Sequence, residues 1–137
     1  MGKQPGEAGI NAVPPTILIV EDEVFIRWAL AEDLSDAGFI VLQAFNASEA
    51  LKVLQSSMPV DLLITDIRMP GPMDGLELAT YARANWPQLK IMIISGNLPD
   101  LPANAPADAI VEKPYTEAVV TERVQKLLGR LGGACIH

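Results

Sequence analysis

Acids and one lysine stand where short apolar runs stop. "TILIV" (residues 16–20) runs into Glu21, Asp22 and Glu23, "LLIT" (62–65) into Asp66, "KIMII" (90–94) into Ser95-Gly96, and "AIV" (109–111) into Glu112-Lys113-Pro114. Three carboxylates held close together do not all stay ionised without a counter-charge. Mg²⁺ is the simplest remedy, because it takes oxygen ligands, uses only one or two protein carboxylates and keeps its other octahedral positions for water or a substrate phosphate. No Cys/His site competes, since Cys135 and His137 are each the only residue of their kind. An Asp carboxylate beside a cation and a lysine is a competent nucleophile toward phosphorus, forming an acyl phosphate once the facing negative charges are screened. Asp66 is therefore the expected phosphoacceptor. Mg²⁺ and Lys113 are the expected screen, and Ser95 is expected to donate its hydroxyl to a phosphoryl oxygen.

Taken singly, each stretch has an ordinary reading. An Asp after a strand is most often a turn or cap residue, and "EDE" reads as a helix start favoured by the dipole. What points to phosphoryl transfer is four strand ends in order, each with a residue type that this chemistry uses.

The elements that position these residues follow from the pattern. The five apolar runs, "FIVLQ" (39–43) being the remaining one, are strand length and apolar on successive positions. Both faces should then be covered, which points to a parallel sheet with helices on either side. Ile26, Leu30 and Leu34 recur at helical spacing up to Gly38, which can adopt the left-handed conformation past a helix end. Asn46 and Glu49 resemble a capping box ahead of a helix burying Ala50, Leu51 and Leu54. A third helix is predicted from Asp74 or Gly75, burying Leu76, Ala79 and Ala82 and stopping before Pro87. A last one is predicted from about Thr116, with Val120, Val124, Leu127, Leu128 and Leu131 on one face. Between the fourth and fifth strands Pro99, Pro102 and Pro106 leave room for a turn or two of helix at most. In such a sheet, ligands bind outside the carboxyl ends of the strands, where all the residues named above are expected.

Composition bounds the rest. A chain of 137 residues suits one domain. Half of it is apolar but only 5% is aromatic, which fits a core of aliphatic residues in a layered α/β domain. The net charge of −7 repels phosphate backbones and anionic lipid, so neither nucleic acid nor a membrane is an expected direct partner. A single cysteine with no internal partner fits a reducing cytoplasm.

With those residues in hand, the chain resembles the receiver domains of two-component response regulators, over about residues 16–129. The resemblance rests on "ILIVEDE", "DLLITDIRMPGPMDGLEL", "IMIISG" and "VEKPY", with 44 positions from Asp22 to Asp66. It implies a flavodoxin-like, doubly wound sheet of five parallel strands in the order 2-1-3-4-5. It implies Asp66 as phosphoacceptor, Asp22 as a direct Mg²⁺ ligand, Glu21 as a ligand through water, and the Arg68 carbonyl as a further ligand. Ser95 matches the family's switch hydroxyl and Lys113 the lysine that bonds the phosphoryl group, with a cis peptide to Pro114. A sensor histidine kinase or histidine phosphotransfer protein would be the donor and a downstream protein the target.

The chain departs from the family's pattern at two places. Ile110 stands where relatives carry an aromatic residue that changes rotamer, and only 18 positions separate Ser95 from Lys113. The family's fourth helix is thus expected to be short or irregular, with the proline-spaced loop ordered by phosphate or a partner. The Arg68 side chain is expected near the mouth of the site, where it would alter the acyl-phosphate lifetime. The expected layout is a flexible tail over 1–14, a receiver domain over 15–131 and a tail over 132–137. With only "GGACIH" after the last helix, a stand-alone receiver is the leading expectation. Two other readings compete. A pseudo-receiver that never carries phosphate would leave Asp66, Ser95 and Lys113 free to drift, and an Asp-nucleophile phosphohydrolase would want a second acid where Arg68 stands.

Overall fold

The computed structural model describes residues 13–97, 99 and 101–129. Five strands, β1 (Thr16–Val20), β2 (Ile40–Ala44), β3 (Leu62–Asp66), β4 (Lys90–Ser95) and β5 (Ala109–Glu112), form one sheet in the order β2-β1-β3-β4-β5, every pair parallel. Four helices, α1 (Val24–Asp36), α2 (Ala47–Gln55), α3 (Gly75–Asn85) and α4 (Glu117–Leu128), cover its two faces. The expected flavodoxin-like order is present.

Alternation along each strand sends neighbouring side chains to opposite faces. Leu18, Val20, Leu63, Ile91 and Ile93 pack with Ala50, Leu54, Leu78 and Ala82 of α2 and α3. Ile17, Ile19, Ile64, Met92 and Ile94 pack with Leu30, Leu34, Val120 and Val124 of α1 and α4. All five residues of β1 and of β3 are buried, as the uninterrupted apolar runs require.

Local signals place the helices. Gly38 has φ 103° just beyond α1. The Asn46 side chain accepts the Glu49 N–H at 2.9 Å at the start of α2. A reciprocal capping box closes at Asp74 and Glu77, and Thr116 caps α4.

Three details differ from the sequence reading. Leu78, not Leu76, joins Ala79 and Ala82 in the core. Ile26 is 36% exposed and faces the site instead of the interior. Among the described residues no α-helix joins β4 to β5; the chain there turns at Pro102–Ala105 and is pinned where Arg83 of α3 reaches Asp108 at 2.6 Å. Leu131, Cys135, His137, the tail over 132–137 and most of the N-terminal one lie outside the described residues.

Candidate functional site

Strand register alone brings the predicted residues into one row. Val20 pairs with Thr65, so Glu21 and Asp66 follow side by side on β1 and β3. Asp66 pairs with Ile94, one residue short of Ser95, and Ser95 pairs with Glu112, one residue short of Lys113. Past the strands the ladder continues: Glu21 N–H donates to Ala44 C=O (3.1 Å), Ile67 N–H to Ile94 C=O (3.2 Å) and Lys113 N–H to Ser95 C=O (2.8 Å).

Together Glu21, Asp22, Asp66, Arg68, Ser95 and Lys113 line a cleft of about 460 Å³, with Glu23, Ile26, Ile67, Gly96 and Asn97 completing its walls. Asp66 is only 6% exposed. The Lys113 ammonium bonds its Oδ2, and the Arg68 N–H donates to its Oδ1 at 3.2 Å. Ser95, 2% exposed, accepts the Asn97 N–H on its Oγ at 3.1 Å, which leaves the hydroxyl proton available for a ligand. Asp22 and the Arg68 side chain are at the exposed rim. The Lys113–Pro114 peptide is cis.

Glu21 is the electrostatically stressed member. Its carboxyl is pushed up from 4.5 to about 7, chiefly because burial strips it of water. The charge of Asp66 and a hydrogen bond with Asp22 act in the same direction, against the Glu23 N–H, which donates to Glu21 Oε2 at 2.9 Å, and the Lys113 charge. Tyr115, next to the cis proline, has its phenol pushed up to about 12, first by burial and then by the charges of Glu21, Glu117 and Asp66.

The donor set fits a hard cation. Among the described residues no three of His, Cys, Asp and Glu close a metal cage by themselves. Mg²⁺ does not need one, because one or two carboxylates, a carbonyl and water satisfy it. Buried acid beside buried acid, with one carboxyl already pushed toward its protonated form, is the surplus negative charge that a divalent ion would relieve.

Two contacts that matter here were not foreseen from the sequence, where Gly75 stood only as a possible helix start and Arg27 was not singled out. Gly75 opens α3 against the backbone of β3, donating its N–H to Ile67 C=O at 2.7 Å. A Cβ at Gly75 would stand 1.6 Å from the Asp66 carbonyl oxygen. Arg27 reaches back from α1 and donates from Nη1 to the Glu21 carbonyl at 2.7 Å. Neither contact leaves a local pattern, since each joins separate elements. A second hollow, about 430 Å³ and lined by Leu54, Met58 and Trp86 among others, has one carboxylate, Asp61, whose Oδ2 is taken by the Thr16 N–H.

Known proteins resemble this chain in sequence and fold. The family described as response regulator receiver domain matches residues 17–125. The response regulator receiver protein CpdR of Brucella abortus is 39% identical over 118 residues, which are 82% of this chain and 95% of that protein. The sensor kinase CckA of the same organism is 33% identical over 118 residues, again 82% of this chain but only 12% of the kinase. The solved structure of the response regulator TrrA from Thermotoga maritima, in complex with Mg²⁺-BeF, has a TM-score of 0.75 and 36% identity. The match covers 83% of this chain and 99% of TrrA.

Proposed function

The chain belongs to the response regulator receiver domain family of two-component signalling, and from that premise we propose that Asp66 is the residue on which it accepts a phosphoryl group. The observation that carries this reading is the Asp66–Lys113 pair. A carboxylate almost closed to solvent ends a central strand and meets an ammonium supplied 47 positions later in the chain. A purely structural ion pair would have no reason to sit in an open cleft between Ser95 and three further acids.

Glu21, Asp22, Asp66 and the Arg68 carbonyl would hold Mg²⁺, Asp22 directly and Glu21 through water. When bound, the ion supplies charge screening between the nucleophile and the incoming phosphoryl oxygens. The likeness to TrrA, seen with Mg²⁺-BeF, supports the assignment. An Asp66 carboxylate oxygen forms the O–P bond as the N–P bond of a phosphohistidine breaks, and the ring, already protonated on its other nitrogen, takes the bonding pair and leaves as neutral imidazole. Lys113 passes from the bare carboxylate to a phosphoryl oxygen, and Ser95 donates its hydroxyl to another.

Receiver domains work with sensor kinases. For this chain the donor is read as a sensor histidine kinase or a histidine phosphotransfer protein in the cytoplasm, and the output as contact with a downstream protein. No helix among the described residues is long and apolar enough to cross a membrane. Since Ile110 has no ring to swing, the response is read as passing from Ser95 Oγ through the Asn97 N–H into the loop before Asp108.

Beryllofluoride, a phosphoryl mimic, tests this directly. With Mg²⁺ the wild type should give a bound-fluoride NMR signal that Asp66→Asn lacks, and in the same sample amide exchange should change at Asn97 and Leu101–Asp108. No bound signal would contradict the site, and equal protection would remove the loop as the moving part. Arg68→Ala should alter the decay of the acyl phosphate; decay at the wild-type rate would remove that role.

A further inference from the structure

The peptide that joins Glu21 to Asp22 hangs between the end of β1 and the start of α1, and one side chain holds it. Arg27 Nη1 donates to the Glu21 carbonyl at 2.7 Å while Arg27 Nε donates to Gln43 Oε1 of β2 at 3.1 Å. The Arg27 backbone N–H also bonds Glu23 C=O at 2.9 Å. We infer that Arg27 is a positioning residue for the Mg²⁺ side of the site, setting the relative orientation of the Glu21 and Asp22 carboxylates through their shared peptide. The inference rests on the reading of those two acids as the metal side.

The physical argument starts from planarity. The Glu21 carbonyl and the Asp22 N–H belong to one rigid peptide unit, so fixing the carbonyl direction fixes the plane that joins the two Cα atoms and narrows the directions in which both carboxylates depart. Glu21 is 4% exposed, and its N–H makes the last ladder bond of that strand end, to Ala44 C=O, so its carbonyl, past the last β1 pairing position, takes its direction from Arg27. A charge-assisted bond from a planar guanidinium is short and directional, and the second bond to Gln43 prevents the fork from rotating. Arg27 thus ties the acid-bearing segment to the edge strand as well as to α1. Both acceptors are neutral oxygens, so the cation orients the peptide without capping a carboxylate that a metal would need.

Groups that orient metal ligands from behind typically change affinity by about 10–100-fold when removed. The test is Mg²⁺ titration, with the metal alone as probe, by calorimetry on wild type, Arg27→Met, Arg27→Lys and Gln43→Ala. It is paired with metal-free amide exchange at Glu23, whose N–H donates to Glu21 Oε2. Arg27→Met keeps the aliphatic stem and should weaken Mg²⁺ on the order of tenfold. Arg27→Lys, which can reach the carbonyl but not both acceptors, should fall between it and wild type, and Glu23 exchange should quicken in the same order. A merely structural arginine would lower the unfolding midpoint without moving affinity, and that result would overturn the inference. If Arg27→Met does not fold, Arg27→Lys and Gln43→Ala carry the same comparison. A wild type that binds no Mg²⁺ would instead remove the metal reading, and Glu23 exchange unaltered by the substitutions would then overturn the positioning role on its own.

Discussion

Asp66 and Glu21 share one shortage, which is water. Each is almost closed to solvent at the end of a central strand, and only Asp66 has the Lys113 ammonium directly on its carboxylate. Glu21 is left to carry the cost of burial, and its carboxyl is pushed up to about 7. A folded-state value above the ordinary 4.5 means that the folded protein binds a proton more tightly than the unfolded chain does. The stability contributed by this group is complete below about pH 4.5 and is lost as pH rises through about 7. The unfolding midpoint of the metal-free protein should therefore fall over that window, and Glu21→Gln should flatten the fall. Parallel pH profiles for the two proteins would show that Glu21 is not stressed. The convergence of Asp66, Ser95 and Lys113 on one cleft was legible from residue type at strand ends, because a parallel sheet sends every such end to one edge. The stress on Glu21 was not, since it depends on how deeply that end is buried.

The elements explain where the reading of the core held and where it slipped. Continuous apolar runs marked the strands, and burial on both faces followed in β1, β3 and most of β4, but not in the edge strands β2 and β5, where Ile40 and Ile110 stay exposed. In α3, the spacing of Leu76, Ala79 and Ala82 suggested one face, but Gly75 sets another. Its contact with the Asp66 backbone turns Gly75, Leu78, Ala79 and Ala82, at i, i+3, i+4 and i+7, toward the sheet, leaving Leu76 partly out. That close approach is a tertiary fact without a sequence periodicity. Gly75→Ala must displace α3 or β3, because a Cβ 1.6 Å from the Asp66 carbonyl oxygen has no room. The expected loss is about 3 kcal/mol or more, read from denaturant midpoints, with slower phosphorylation of Asp66. A variant as stable as wild type would mean that the two backbones are not packed as described. Ile26 slipped for a related reason: apart from Arg27, the first two turns of α1 are apolar on every side, with Val24, Phe25 and Trp28 exposed, so helical spacing could not choose which residues face inward.

Over the whole molecule the two apolar layers are complete while the link from β4 to β5 is abbreviated. Leu101 and Ala107 pack on the α2/α3 layer there, and Asp108 Oδ2 takes both the Arg83 guanidinium and the Ile91 N–H. Three prolines in the segment announced the interruption; the Arg83 anchor, 25 positions from its partner, could not be foreseen. The chain nearly spans CpdR yet covers about an eighth of CckA, so the same domain serves alone and as a small part of a larger protein. For this chain, what decides the proposed role is whether Asp66 takes up phosphate. The most direct measurement is intact-mass spectrometry after incubation with acetyl phosphate, with and without Mg²⁺, on wild type and Asp66→Asn. A Mg²⁺-dependent gain of one phosphoryl mass in wild type and none in the variant is the predicted result. A hydroxylamine-stable gain that persists in Asp66→Asn would contradict the account.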